Sequence, residues 1–131
     1  MKVQVVPHDP EWRGKYELEA EVLRAALKDV VHSIDHIGST AVPGIYAKPI
    51  IDLLVEVDDL GRLDTLNPVM VGLGYVPKGE LGITGRRYFR KDSGDGTRTH
   101  QVHAFVKASA GIQRHIAFRD YLIAHPATGD A

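Results

Sequence analysis

The sequence predicts an α+β domain, a mixed β-sheet with helices packed mainly on one face. Three observations predict it. Residues 50 to 57, IIDLLVEV, form an apolar run rich in strand formers. Helical three- and four-residue periodicity appears before, between and after the strand-like runs. Ser93-Gly94-Asp95-Gly96 is a strong turn signal between two further β-like stretches, 86–91 and 99–106, which are expected to pair as an antiparallel hairpin. At 131 residues and 44% hydrophobic content, the chain is expected to form one domain, 1–131, around one core.

Taken in order, Val3, Val5 and Val6 read as a short opening strand. Asp9 before Pro10 then caps a helix with the proline in its first turn. Trp12, Tyr16, Leu23 and Leu27 give that helix an inner stripe, with Glu17, Glu19 and Glu21 on wetter faces, and the pattern runs to about Val31. Residues 33–37 form a strand, a Gly/Pro loop follows, and 50–57 form the most apolar strand, expected at the centre of the sheet. Asp58-Asp59 caps a second helix that Pro68 bends or divides and that ends at Gly72 and Gly74. Tyr75-Val76 starts another strand, residues 78–85 are an exposed connection, and a final helix after Gly111 stops near Pro126.

Charge is nearly balanced, with 16 basic and 17 acidic side chains, so no global field for nucleic acid or membrane is present. The chain has no cysteine, which removes disulfides, thiolate metal sites and cysteine nucleophiles and suits the reducing cytosol. With neither a signal peptide nor a membrane span in view, the sequence reads as a soluble cytoplasmic protein. Neither a nucleophile elbow nor a phosphate loop ending in Gly-Lys-Ser/Thr occurs, which argues against a hydrolase triad and a P-loop kinase.

Chemistry concentrates in residues 36 to 52, HIGSTAVPGIYAKPIID. Gly38-Ser39-Thr40 offers a side-chain-poor turn whose backbone N–H groups and two hydroxyls suit an anion, and Lys48 lies between that turn and the apolar strand. Along the strand, Ile51, Leu53, Val55 and Val57 share the core face, while Asp52 and Glu56 point the other way, about 13 Å apart. Asp52 is the better candidate because it lies nearest the turn. It either holds a divalent cation against substrate phosphates or caps a neighbouring backbone group. Lys48 is either a phosphate contact or a solvated lead-in to Pro49.

Two later segments add candidates. In THQVHAFV, His103 shares a face with Gln101 and Phe105, and His100 takes the other face. His103 is therefore expected as metal ligand, general base or phosphate contact, with a core-edge histidine bonded to a carboxylate as the bland alternative. In RRYFRK, arginine forks beside aromatic rings suit phosphate and base, which makes Arg87 and Arg90 candidates, although such residues also describe the wet side of an edge strand. His115, Arg119, Asp120 and His125 read as structural residues of the last helix.

The run HIGSTAVPGIYAKPIIDLLVEV, with RRYFRK, THQVHAFV and FRDYLIAHP, closely resembles the GrpB family over nearly the whole chain. Members look like nucleotidyltransferase-superfamily proteins and also occur fused behind dephospho-CoA kinase. The resemblance implies a nucleotidyltransferase-like mixed sheet, Gly38 and Ser39 at the nucleotide-phosphate turn, and Asp52 as the first metal carboxylate for Mg²⁺ or another divalent cation. The implied partner is a nucleotide or other phosphorylated small molecule. It implies either transfer of a nucleotidyl group from an NTP to an acceptor or, alternatively, a non-catalytic nucleotide-binding or folding-accessory domain. Two positions depart from the pattern: Leu54 stands where active nucleotidyltransferases carry a second carboxylate, and Gln101 where the family tends to show histidine. The family pattern also implies further helical sequence after FRDYL, so a chain ending at Ala131 is expected to lack some of it.

Overall fold

The computed structural model describes residues 5–125. Five strands form one mixed sheet in the order β1-β2-β5-β4-β3. They are β1 (Val31–Ile37), β2 (Ile51–Val57), β3 (Tyr75–Pro77), β4 (Arg87–Asp92) and β5 (Arg98–Val106). β2 and β5 run parallel, and the β1/β2, β4/β5 and β3/β4 pairs are antiparallel. The apolar strand β2 is interior but not central. The hairpin strand β5 takes the middle, where it aligns Leu54 with His103 and Asp52 with Gln101.

Three helices cover one face: α1 (Glu11–Ala26), α2 (Leu60–Asp64) and α3 (Asn67–Gly72). The expected stripe of Trp12, Tyr16, Leu23 and Leu27 is buried against Ile51, Leu53, Val55 and Val57, and Leu63 and Met70 close the same core. The Asp9 carboxylate accepts from the Glu11 N–H at 2.9 Å, while Asp59 accepts from the Arg62 N–H at 2.8 Å, so each acid satisfies an orphan donor of a first turn.

α1 ends at Ala26 rather than near Val31. The β-branched pair Val30-Val31 is drawn into the sheet instead: Val31 pairs with Val57, and the Val30 carbonyl accepts from the Asp58 N–H at 2.9 Å. Glu19, assigned to a wet face by its charge, is also buried, because the Tyr75 hydroxyl and the Lys91 ammonium meet its carboxylate. Pro68 divides the second helix into α2 and α3, and Val69 faces solvent rather than the core. Among the described residues of the N-terminus a single Val6–Ala47 bridge forms, and Val3 lies outside them.

The other face carries one helix, α4 (Ala110–Ala124). Ile112 and Ile116 pack on Ile37, Leu54 and Phe105. Gly111 permits this approach, since a Cβ there would lie 2.5 Å from the Phe105 ring. Phe118 and Ile123 on the same helix are exposed, and Pro126 lies outside the described residues. Next to the α4 contact this face stays open around Asp52.

Candidate functional site

β1 and β2 are antiparallel neighbours, and their ends meet where Ile37 pairs with Asp52. The chain leaves β1 through Gly38, at φ +76°, and turns into a single 3₁₀ turn, Ser39–Ala41. A Cβ on Gly38 would stand 2.5 Å from Asp52 Oδ2, so only glycine lets the bend close onto the carboxylate. Bend and acid therefore form one place, as the sequence spacing anticipates.

Asp52 Oδ1 accepts two hydrogen bonds from β5. Gln101 Nε2 donates at 2.7 Å, and His103 Nε2 lies 3.1 Å away. A carboxylate oxygen only accepts, so the histidine proton sits on Nε2, and His103 Nδ1 is left buried without a hydrogen-bond partner among the described residues. If the proton moves to Nδ1, Nε2 and Oδ1 become two adjacent lone-pair donors. Their 3.1 Å separation matches neighbouring ligands of an octahedral ion, which lie about 3 Å apart. One carboxylate and one imidazole thus form a donor pair that could hold part of a divalent cation's shell. Among the described residues no group of three or more His, Cys, Asp or Glu side chains is arranged to hold a metal ion.

Asp52 stands between two clefts. The first, about 290 Å³, is lined by Ser39, Tyr46, Lys48, Ile50 and Gln101 as well as Asp52. The second, about 260 Å³, lies between the sheet and α4 and includes Gly38, His103, His115, Phe118 and Arg119. Ser39 and Lys48 therefore share a cleft with the same acid.

Thr40 does not join them. It is buried, its hydroxyl bonds to His36 Nε2 at 2.9 Å and to the Ile50 carbonyl at 3.3 Å, and it ties the bend to the fold. The His36 ring stacks on Tyr16 at 4.7 Å, and burial, helped by the Arg13 charge, holds its pKa down to about 4.

The arginines expected beside the site separate. Arg87 points to the helix-covered face, where its guanidinium grips Asp64 at 2.8 and 3.2 Å, so the structure does not bring it to Asp52. Strand alternation puts Arg87 with Phe89, and Phe89 belongs to the main core. Arg90 keeps the open face, opposite Gln101, but bonds to Asp92 at 3.0 and 3.3 Å. Arg86 is buried on the carbonyls of Glu80 and Leu81 with its guanidinium over the Tyr88 ring.

Sequence reasoning missed three neighbours of the acid. Tyr88 Oη donates to Gln101 Oε1 at 2.5 Å, and Arg98 Nη1 donates to the same oxygen at 3.0 Å. This fixes the amide: its oxygen faces the two donors and its NH₂ faces Asp52. The His115 ring lies 5.6 Å from that of His103, and burial followed by the His103 charge lowers its pKa. Its spacing from Ile112 on the inner stripe of α4 was the available signal. Glu56, by contrast, accepts from the Ser33 hydroxyl at 2.6 Å and takes no part in the site.

The sequence model of the family described as GrpB protein matches residues 2–131. The chain belongs to the GrpB protein family. It is 43% identical over 125 residues to the UPF0157 protein YqkA of Bacillus subtilis (strain 168), a match covering 95% of this chain and 36% of that relative. It is 31% identical over 147 residues to dephospho-CoA kinase of Mycolicibacterium paratuberculosis, covering 95% of this chain and again 36% of the relative. This GrpB chain thus spans roughly a third of the length of these two curated relatives. Among solved structures, the crystal structure of the conserved protein GrpB from Enterococcus faecalis superposes with a TM-score of 0.89 at 42% identity, covering 95% of this chain and 74% of that one. A crystal structure of the Cid1 poly(U) polymerase bound to MgATP superposes at 0.59 with 12% identity, covering 90% and 39%. The fold of this GrpB domain is nucleotidyltransferase-like. No helix among the described residues is long and apolar enough to cross a membrane.

Proposed function

We propose that this GrpB domain binds a nucleoside triphosphate with a divalent cation and transfers a nucleotidyl group from it to an acceptor. One observation carries the reading: the Asp52 carboxylate lies against Gly38 of the Gly-Ser bend with His103 on the same oxygen, where two clefts meet. The bend offers backbone N–H groups to phosphate oxygens, and Lys48 neutralises charge from the loop side. Asp52 and His103 would hold the cation. Such an ion would supply positive charge against the charge that develops on the phosphate.

The acceptor hydroxyl oxygen bonds to the α-phosphorus as the bond to pyrophosphate breaks, and the hydroxyl proton passes to water. Each cleft lies just under the usual lower size of a site that buries a drug-sized ligand, so the cleft beside Lys48 suits the phosphates and leaves the base at the exposed Tyr46 ring. The second cleft then receives the acceptor. The nucleotide-bound structures of the Cid1 polymerase support the class of ligand, and the cysteine-free sequence supports a cytosolic setting.

A second reading, binding without transfer, rests on Leu54. It is fully buried beside Ile37, Phe105 and Ile112, so a leucine under α4 fills the place of a second metal carboxylate. The matched stretch of dephospho-CoA kinase supports such an accessory role.

Calorimetry with ATP, UTP and GTP, each with and without Mg²⁺ or Mn²⁺, tests both readings when paired with a pyrophosphate-release assay. The transfer reading expects cation-dependent binding, pyrophosphate release with an acceptor pool, and loss of both in Asp52→Asn. Binding with no release, and affinity retained in Asp52→Asn, moves the assignment to the accessory role. No nucleotide binding under any condition overturns both.

A further inference from the structure

We infer that Arg98 is a phosphate-binding residue of this site, gripping the part of a polyphosphate chain farthest from Asp52. The inference deepens the nucleotide reading and rests on it for the identity of the ligand.

Regular alternation along β5 would send Arg98 to the face of His100 and Val102, against the helix-covered core. The hairpin register prevents this. Lys91 pairs with His100 but Asp92 pairs with Arg98, so Thr99 is an extra residue on β5, a β-bulge. The bulge returns Arg98 to the face of Gln101 and His103. There its Nη1 bonds to Gln101 Oε1 at 3.0 Å, and Gln101 Nε2 bonds to Asp52 Oδ1 at 2.7 Å. A charged acid and a charged base are thus joined through one neutral amide, and the acid and the amide line the Lys48 cleft.

Four basic side chains of the sheet and its helices are already paired. Arg87 has Asp64, Arg90 has Asp92, Arg119 has Asp120 and Lys91 has Glu19. Arg98 faces Asp92 across the hairpin, but that carboxylate is taken by Arg90, and Arg98 forms no ion pair among the described residues. Its Nε is buried and has no hydrogen-bond partner among them. A guanidinium with no carboxylate partner, joined through Gln101 to a carboxylate suited to a cation, is matched to an anion. A phosphate chain whose one end is bridged by a cation to Asp52 presents that anion. A single phosphate is too short to engage both ends, so the site should prefer tripolyphosphate and nucleoside triphosphates over inorganic phosphate.

Titration calorimetry of the full chain with Mg²⁺ plus tripolyphosphate, inorganic phosphate or ATP, and with Mn²⁺ alone, tests this in wild type, Arg98→Ala and Arg98→Lys. Arg98→Ala is expected to bind tripolyphosphate about tenfold more weakly, the cost of losing a charged hydrogen bond. Its Mn²⁺ affinity should be unchanged, and Arg98→Lys should recover part of the loss. Arg98→Ala binding tripolyphosphate like wild type overturns the inference, and so does a weakened Mn²⁺ affinity, which would mean that Arg98 merely positions Gln101 and Asp52. Should Arg98→Ala not fold, Arg98→Lys decides: wild-type affinity for tripolyphosphate in it refutes a role for the guanidinium fork. Wild type that binds tripolyphosphate but not ATP keeps the Arg98 assignment and removes the nucleotide reading. Wild type that binds neither removes both.

Discussion

The two faces of the sheet carry similar polar residues and treat them differently. On the helix-covered face, Glu19 meets the Tyr75 hydroxyl at 2.6 Å and the Lys91 ammonium at 2.5 Å, and Lys91 also lies over the Tyr75 ring. Burial pushes the Glu19 pKa up, but the hydrogen bonds from Lys91 and Tyr75 outweigh it and the net shift is downward. This is a closed set. On the open face, Asp52, Gln101, His103 and Arg98 form a chain that ends in a guanidinium without a carboxylate and an imidazole with an unused nitrogen. Where polar groups satisfy one another they hold the fold together, and where they leave donors and charge unmatched they are available to a ligand.

The contrast breaks most directly at Leu54, which lies on the Asp52 side of the sheet yet is fully buried. Leu54→Asp should cost about 4 kcal/mol or more, because it places an unpaired carboxylate among Ile37, Phe105 and Ile112. Urea unfolding measures this, and a tolerated aspartate would mean that α4 does not seal this part of the face. Glu19→Ala should cost about 3 kcal/mol by stranding Lys91 and the Tyr75 hydroxyl, while tripolyphosphate affinity stays at the wild-type value. A loss of affinity in a folded Glu19→Ala protein would show that the two faces are coupled.

Acid should attack the helix-covered face first. His36 has a folded pKa of about 4 against 6.5 for the free side chain, so the unfolded chain takes up its proton first as pH falls. The stability it contributes is fully present above about pH 6.5 and is lost as pH falls toward 4, about 3 kcal/mol across the window. Unfolding curves at pH 7 and pH 4.5 should differ accordingly, and His36→Gln should flatten the dependence. The smallest effect belongs to Arg87→Ala. Its half-exposed pair with Asp64 contributes about 1 kcal/mol or less, and polyphosphate binding should not change. A drop in that affinity would place Arg87 in the site after all.

Much of the fold was legible because it follows from periods that neighbouring residues share. The stripe of Trp12, Tyr16, Leu23 and Leu27, the alternation of Ile51, Leu53, Val55 and Val57, and the turn at 93–96 each predicted an element that is present. The convergence of Gly38 and Asp52 was legible for a related reason: a short loop between paired strands brings its ends together. Thr40 and Arg87 misled, since a hydroxyl or a guanidinium looks alike in sequence whether it faces a cleft or a partner such as His36 or Asp64. Glu19 misled in the opposite direction, because its partners Tyr75 and Lys91 come from strands far along the chain.

Local pattern, which each residue shares with its near neighbours, was enough for the α+β class, the core faces of α1 and β2, and the meeting of bend and acid. Long-range pairing settled the rest. The parallel alignment of β2 with β5 brings His103 and Gln101 onto Asp52, and the seating of α4 on Phe105 buries Leu54. One extra residue at Thr99 turns Arg98 toward the site. None of these has a signature in a short window, because the register between strands is chosen by the packing of the whole sheet.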